Sequence, residues 1–272
     1  MNKSRRNFFK IAGITAAGLV SEKFIVARTK GPIKKIIDKA ESTEEKLANI
    51  KAAQSKPLAK ERLAMVVDLK KCISQKGCTK CIDICNKEHN IPNFGESKDE
   101  IKWIWKEKYE GAFVDQENFY MQDALKDKMV PVFCNNCDSP PCVEVCPTQA
   151  TFKRDDGIVM MDWHRCIGCR YCMAACPYGS RSFNWRDPRP FIKEINNDFP
   201  TRTKGVVEKC EFCVERLAKG LPPACTEVCP VKALTFGNLN DPESEVRKLL
   251  KENFSVRRKP GLGTNPEIYY LV

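Results

Sequence analysis

Cys166-Ile167-Gly168-Cys169-Arg170-Tyr171-Cys172-Met173-Ala174-Ala175-Cys176-Pro177 is the stretch on which the fold of this chain turns. Its spacing, Cys-x2-Cys-x2-Cys-x3-Cys-Pro, sets three thiols on one tight loop, where they wrap three corners of a four-iron cubane. The fourth cysteine, expected on the short helix that follows, points away and ligates a neighbouring cube. The proline behind it ends the loop and restricts the backbone there.

The same pattern recurs on both sides. Cys134-x2-Cys137-x4-Cys142-x3-Cys146-Pro147 lengthens the middle spacer, and Cys210-x2-Cys213-x11-Cys225-x3-Cys229-Pro230 lengthens it further. Cys72-x5-Cys78-x2-Cys81-x3-Cys85 departs most, with a long first spacer and Asn86 where the others have proline. Cys72 decides the first run: with it the cube is a 4Fe-4S cluster, and without it a 3Fe-4S cluster. All sixteen cysteines are therefore candidate ligands, and four 4Fe-4S clusters are the expected cofactors. Eight disulfides would suit an exported chain, but disulfide scaffolds are not spaced in repeated quartets. Zinc favours isolated Cys-x2-Cys pairs, and a further cysteine at x3 before proline has no role there. Cys142 and Cys146 lie one helical turn apart yet serve different cubes. At 1.5 Å of rise per residue plus the side-chain arms, cube centres fall roughly 10 to 13 Å apart, close enough for fast electron tunnelling.

With 272 residues and 42% hydrophobic content the chain can bury a core, but so much sulfur assigns part of its stability to metal. The formal charge of +11 resembles a nucleic-acid binder's until it is divided. Residues 1–60 hold 14 Lys or Arg against 5 Asp or Glu, and residues 61–272 hold 32 against 30. Four clusters of about −2 each would take the core to roughly −6, so nucleic acid is excluded as a partner and a basic or neutral docking surface fits better.

Ser4-Arg5-Arg6-Asn7-Phe8-Phe9-Lys10 before the apolar run Ile11 to Val20 reads as a twin-arginine signal over residues 1–30. The apolar run is too short to span a bilayer comfortably, and both a cleaved leader, cut near Ile25-Val26-Ala27, and a retained anchor fit it. The expected location is the periplasm, peripheral to the inner membrane and touching it only through partners. Export of the folded chain is the route a cluster protein needs, because threading it unfolded would release the metal. Residues 31–62 read as a charged helix or linker. Residues 63–240 read as the cysteine core, with a cysteine-free insert at 90–132 in which Ile101, Trp103 and Trp105 suggest a hairpin. Asp156-Gly157 before Ile158-Val159-Met160-Met161 reads as a turn into a strand, and residues 241–272 as a C-terminal strap. The expected class is α+β, with tandem bacterial-type dicluster ferredoxin folds, an inserted β-hairpin region and an N-terminal signal or helix.

A catalytic site of the chain's own is not expected. There are two histidines, His89 and His164, and His164 in Trp163-His164-Arg165-Cys166 suits tuning or packing better than catalysis. No Gly-x-Gly-x-x-Gly or phosphate loop is present. The four tryptophans read as packing residues. Arg165, Arg170, Lys71 and Lys80 adjoin cluster cysteines, where a cation favours the reduced cluster, though ordinary surface charge explains them equally.

Four such runs in this order, with the long spacer last, resemble the four-cluster ferredoxin-like electron-transfer subunits of molybdopterin oxidoreductases and quinone-reactive membrane complexes, the dimethyl sulfoxide and polysulfide reductase type. The resemblance covers about residues 63–240. It implies that first and fourth runs exchange their last cysteines, as do second and third. The implied quartets are Cys72, Cys78, Cys81 with Cys229; Cys210, Cys213, Cys225 with Cys85; Cys134, Cys137, Cys142 with Cys176; and Cys166, Cys169, Cys172 with Cys146. The run Cys172-Met173-Ala174-Ala175-Cys176-Pro177-Tyr178-Gly179, the segment Phe183-Asn184-Trp185-Arg186-Asp187-Pro188-Arg189-Pro190, and Gly263-Thr264-Asn265-Pro266 are similar to the DsrO type, the periplasmic subunit of the sulfite-reductase-associated membrane complex. That likeness implies electrons passing between an integral membrane quinone-reactive subunit and a periplasmic multihaem cytochrome in sulfur metabolism. The alternative partner is a molybdopterin subunit that reduces polysulfide, tetrathionate or nitrite.

Overall fold

The computed structural model describes residues 61–116, 120 and 123–272. The twin-arginine stretch and nearly all of the 31–62 segment lie outside the described residues. In chain order come β1 (Leu63–Asp68), α1 (Leu69–Ser74), α2 (Lys80–Glu88), β2 (Ile104–Lys108), α3 (Tyr109–Ala112), β3 (Met129–Phe133) and α4 (Pro141–Glu144). Next are β4 (Thr151–Lys153), β5 (Val159–Met161), α5 (Tyr171–Ala174), β6 (Ser182–Phe183), β7 (Val207–Glu208), α6 (Val214–Leu217) and α7 (Ala224–Glu227). Last are β8 (Leu234–Asn238), α8 (Glu245–Glu252), β9 (Ser255–Val256) and β10 (Ile268–Leu271). The architecture is mixed α and β, built from short elements. None of the described helices is long and apolar enough to cross a membrane.

β1 reads Leu-Ala-Met-Val-Val-Asp, an apolar run without alternation, and such a run suits a strand covered on both faces. It pairs parallel with β10, Met65 opposite Ile268, and antiparallel with β8, Met65 opposite Phe236. The sheet order is β8-β1-β10-β9, so the segment read as a strap supplies two of its four strands. α8 covers the sheet: Ser244 caps it by accepting from Arg247 N, Val246 is buried, and a Cβ on Gly237 of β8 would meet Val246 Cγ2 at 2.4 Å. At the start of the core the Asp68 carboxylate accepts from Lys71 N at 3.0 Å and caps α1, turning the chain from strand into the first cysteine run.

Within the insert, β2 and β3 form an antiparallel pair, Trp105 opposite Val132. β4 and β5 do the same around Asp156-Gly157, where Gly157 takes φ +85°. The Asp156 carboxylate accepts from Ile158 N at 3.1 Å, an Asx turn of the kind the dipeptide predicts. Trp103 is buried, and its indole stacks on His89 with centroids 4.5 Å apart. Trp185, by contrast, is 45% exposed, packed edge-on against Phe183 at 4.6 Å and under the Arg170 guanidinium.

Candidate iron–sulfur centres

Three of the four runs place their third cysteine on a one-turn helix: Cys142 on α4, Cys172 on α5 and Cys225 on α7. Their fourth cysteines, Cys146, Cys176 and Cys229, lie beyond the helix end rather than on the helix as the spacing suggested. Pro147, Pro177 and Pro230 account for this, because proline bars the residue before it from helical backbone. In the first run Asn86 removes that bar, and α2 continues through both Cys81 and Cys85.

The loops that precede these helices share a second device. Asn136, Gly168 and Phe212, each directly before a cysteine, take φ of +40°, +70° and +54°. This left-handed residue folds the Cys-x-x-Cys segment back on itself, so that successive thiols face inward. A Cβ on Gly168 would meet the Gly205 carbonyl oxygen at 2.4 Å. Gly168→Ala is therefore expected to cost more than the ~1–2 kcal/mol of the backbone conformation alone, read as a lower anaerobic denaturation midpoint.

None of the sixteen cysteines is in a disulfide. Cys134, Cys137, Cys142 and Cys176 line one cavity, and Cys146, Cys166, Cys169 and Cys172 line another. Burial pushes the Cys137 thiol up to about 12, with Cys134, Cys142 and Cys176 adding to the rise. Burial raises Cys85 well above its ordinary value, and the sulfurs acting on it are first Cys210, Cys213 and Cys225, with Cys81 last. Cys72 is raised by burial and by Cys229 and Cys78. Cys81, pushed up to about 11, feels Cys72 and Cys78. The sulfurs thus fall into four neighbourhoods, with Cys85 and Cys229 crossing between the first and last runs, and Cys146 and Cys176 between the middle two.

The electrostatic influence of one neighbourhood on the next gives them an order. Cys225 feels Cys81, Cys210 feels Cys134, and Cys172 feels Cys142. The row therefore starts at the Cys72 group, passes the Cys210 group and then the Cys134 group, and ends at the Cys166 group, where Cys169 is the exposed cysteine. Buried thiols raised to 11 or 12 hold their protons in water, and iron binding drives those protons off. Convergent sulfur donors with apolar surroundings fit cubane clusters and give a protein built for electron transfer.

Backbone donors tune the fourth cysteines. Ala233 N donates to Cys229 Sγ at 3.2 Å and Thr151 N to Cys146 Sγ at 3.4 Å. Burial pushes the Cys146 thiol up, but donors from Thr151, Thr148 and Ala150 outweigh it and hold it below its ordinary value. The tail closes the Cys134 loop: Asp138 N and Ser139 N donate to the Asn265 and Thr264 carbonyls at 2.8 and 3.1 Å. The Thr264 hydroxyl also pairs with Tyr178 Oη at 2.5 Å.

The charged residues singled out from the sequence are mostly occupied elsewhere. Lys71 pairs with Asp68 and Arg165 with Asp162, while His164 is 98% exposed and does not pack. The buried polar residues around the sulfurs are others. His89 Nε2 donates to the Glu215 carboxylate at 2.9 Å, and its Nδ1 lies 3.6 Å from Cys85 Sγ. Lys209 donates to the carbonyls of Val159 and Cys210. Burial pushes the Glu211 carboxyl up to about 7 against the pull of Lys209. In sequence these residues resemble surface charge, and only their neighbours in space set them apart.

Comparison with known proteins agrees with this geometry. The 4Fe-4S dicluster domain model matches residues 125–189 and 195–239. The chain is 41% identical to the Hdr-like menaquinol oxidoreductase iron-sulfur subunit 1 of Archaeoglobus fulgidus, over 98% of this chain and 97% of that protein. It is 38% identical to the menaquinone reductase iron-sulfur cluster-binding subunit of Nitratidesulfovibrio vulgaris, over 78% of this chain and 89% of that one. With a tetrathionate reductase subunit of Salmonella typhimurium it shares 37% identity, over 78% and 73%. The chain belongs to the dicluster ferredoxin-type family of iron–sulfur electron-transfer subunits found in menaquinol and molybdopterin oxidoreductases.

Proposed function

We propose that this protein is a periplasmic relay, exported folded by the twin-arginine route. It would carry electrons through four 4Fe-4S clusters between a quinone-reactive integral membrane subunit and a multihaem cytochrome of sulfur metabolism. The sixteen cysteines are its ligands in the four quartets named above, on tandem ferredoxin-type units. The observation that carries this reading is the single row of sulfur neighbourhoods, ending at an exposed cysteine. The full-length likeness to a menaquinol oxidoreductase subunit supports the quinone side. Each cluster would supply one-electron redox chemistry, while the chain's residues hold the thiolates, exclude water and set the local field.

Purified anaerobically, the chain is expected to hold about 16 iron atoms and to reduce no substrate without its partners. Solubilised native membranes are expected to yield it together with a quinone-reactive subunit and a multihaem cytochrome. A molybdopterin subunit in that preparation would instead establish the second reading, a reductase of polysulfide, tetrathionate or nitrite, which the likeness to the tetrathionate reductase subunit supports. A colourless, iron-free chain would end both.

A further inference from the structure

Arg181 is 4% exposed, deep in the half of the molecule that holds the second and third runs. Its Nη1 donates to Thr151 Oγ1 at 3.0 Å and lies 3.8 Å from Met161 Sδ. Its Nη2 is buried with no hydrogen-bond partner among the described residues. No carboxylate pairs with it there either; the buried Glu211 feels it only at longer range. A buried guanidinium without a counter-ion costs several kcal/mol, so something negative belongs beside it.

The cavity it lines answers that need. Arg181 shares it with Cys134, Cys137, Cys142 and Cys176. Burial opposes its charge, yet the sulfurs of Cys142, Cys172 and Cys134 outweigh burial and hold its pKa above the ordinary value. Thr151, which accepts from Arg181 through Oγ1, donates through its N to Cys146 Sγ at 3.4 Å, and Cys146 lines the neighbouring cavity with Cys166, Cys169 and Cys172, so the cation stands at the junction of the two. The other polar groups facing these sulfurs are uncharged: backbone N–H donors and the hydroxyls of Thr148, Thr264 and Tyr178.

We propose that Arg181 is the fixed counter-ion of the cluster pair held by the second and third runs, raising the reduction potentials of both above what their ligand loops alone would set. The inference rests on the cysteine quartets being cluster ligands. A one-electron reduction adds negative charge beside a cation that cannot titrate or leave, so the reduced state gains more than the oxidised one.

The test is an anaerobic redox titration followed by electron paramagnetic resonance on the full chain, with iron measured on each sample. Arg181→Gln is expected to keep wild-type iron and to lower two midpoints at least tenfold in the reduction equilibrium, ~59 mV for one electron, leaving the other two in place. Arg181→Lys, which keeps the charge, is expected to restore most of that shift. Unmoved midpoints in the glutamine variant at full iron would overturn the proposal while leaving the cluster reading intact. Should the glutamine variant lose iron, the lysine variant decides. Full iron with near-native midpoints supports the counter-ion, and any other result assigns Arg181 to packing and overturns it. A wild-type chain without iron removes the cluster reading and this proposal together.

Discussion

Alanine at Cys85 is expected to leave about three intact 4Fe-4S clusters, alanine at both Cys85 and Cys213 still about three, and alanine at both Cys85 and Cys81 only about two. The reasoning is in the neighbourhoods. Cys85 follows Cys81 by one turn of α2, yet the sulfurs that act on it most are Cys210, Cys213 and Cys225. Alanine cannot ligate, so each damaged quartet counts once however many of its members are lost. Integrated electron paramagnetic resonance of the dithionite-reduced protein, set beside iron content, counts the survivors. The reverse pattern, with the Cys81 double variant no worse than the single one, would place Cys85 back with its own run and dissolve the exchange.

The largest effect away from the sulfurs is expected at Arg202. Its guanidinium and the Glu208 carboxylate are both fully buried and 2.6 Å apart. Arg202 also donates to the carbonyls of His89 and Asn90, just past the end of α2, and lies 5.6 to 5.7 Å from the ring centroids of Trp103, Trp163 and Phe199. Glu208 accepts in addition from Trp103 Nε1 at 3.1 Å. This one residue therefore ties the helix bearing Cys81 and Cys85 to β7, next to Lys209 and Cys210. Arg202→Met strands a buried carboxylate and is expected to cost ~3–5 kcal/mol, lowering the thermal midpoint by on the order of 10 °C. Arg202→Met with Glu208→Gln should recover part of the loss, because the orphaned charge, rather than the missing contact, carries most of it. Equal losses in the single and double variants would contradict that account.

How far the chain could be read before its structure divides by the range of the interactions concerned. The cysteine runs, the turn at Asp156-Gly157 into a strand and the paired strands of the insert follow from short-range chemistry: ligand spacing, an Asx turn, apolar alternation. The helix ends did not, because the spacing alone put the fourth cysteines on the helices, whereas the prolines behind Cys146, Cys176 and Cys229 expel them. The tail looked like a strap from its Pro and Gly content, yet Ile268–Leu271 is a central strand whose partner, Leu63–Asp68, lies at the far end of the core. No local pattern announces a pairing of that separation. Arg181, Lys209 and Arg202 were invisible for the same reason: a lone cation reads as solvated until the groups around it are known.

The nesting of the cysteine groups sets a timetable for the newborn chain. The cysteines of the two middle runs all lie between Cys134 and Cys176, so their sulfurs have left the ribosome while the rest of the chain is still being made. Cys72, Cys78 and Cys81 are made first, yet the last-run sulfur that acts on Cys72 is Cys229, and β1 gains β8 and then β10 only as the final part of the chain emerges. The oldest sulfurs wait longest. Throughout that interval they are the thiols most open to oxidants and to competing thiophilic ions.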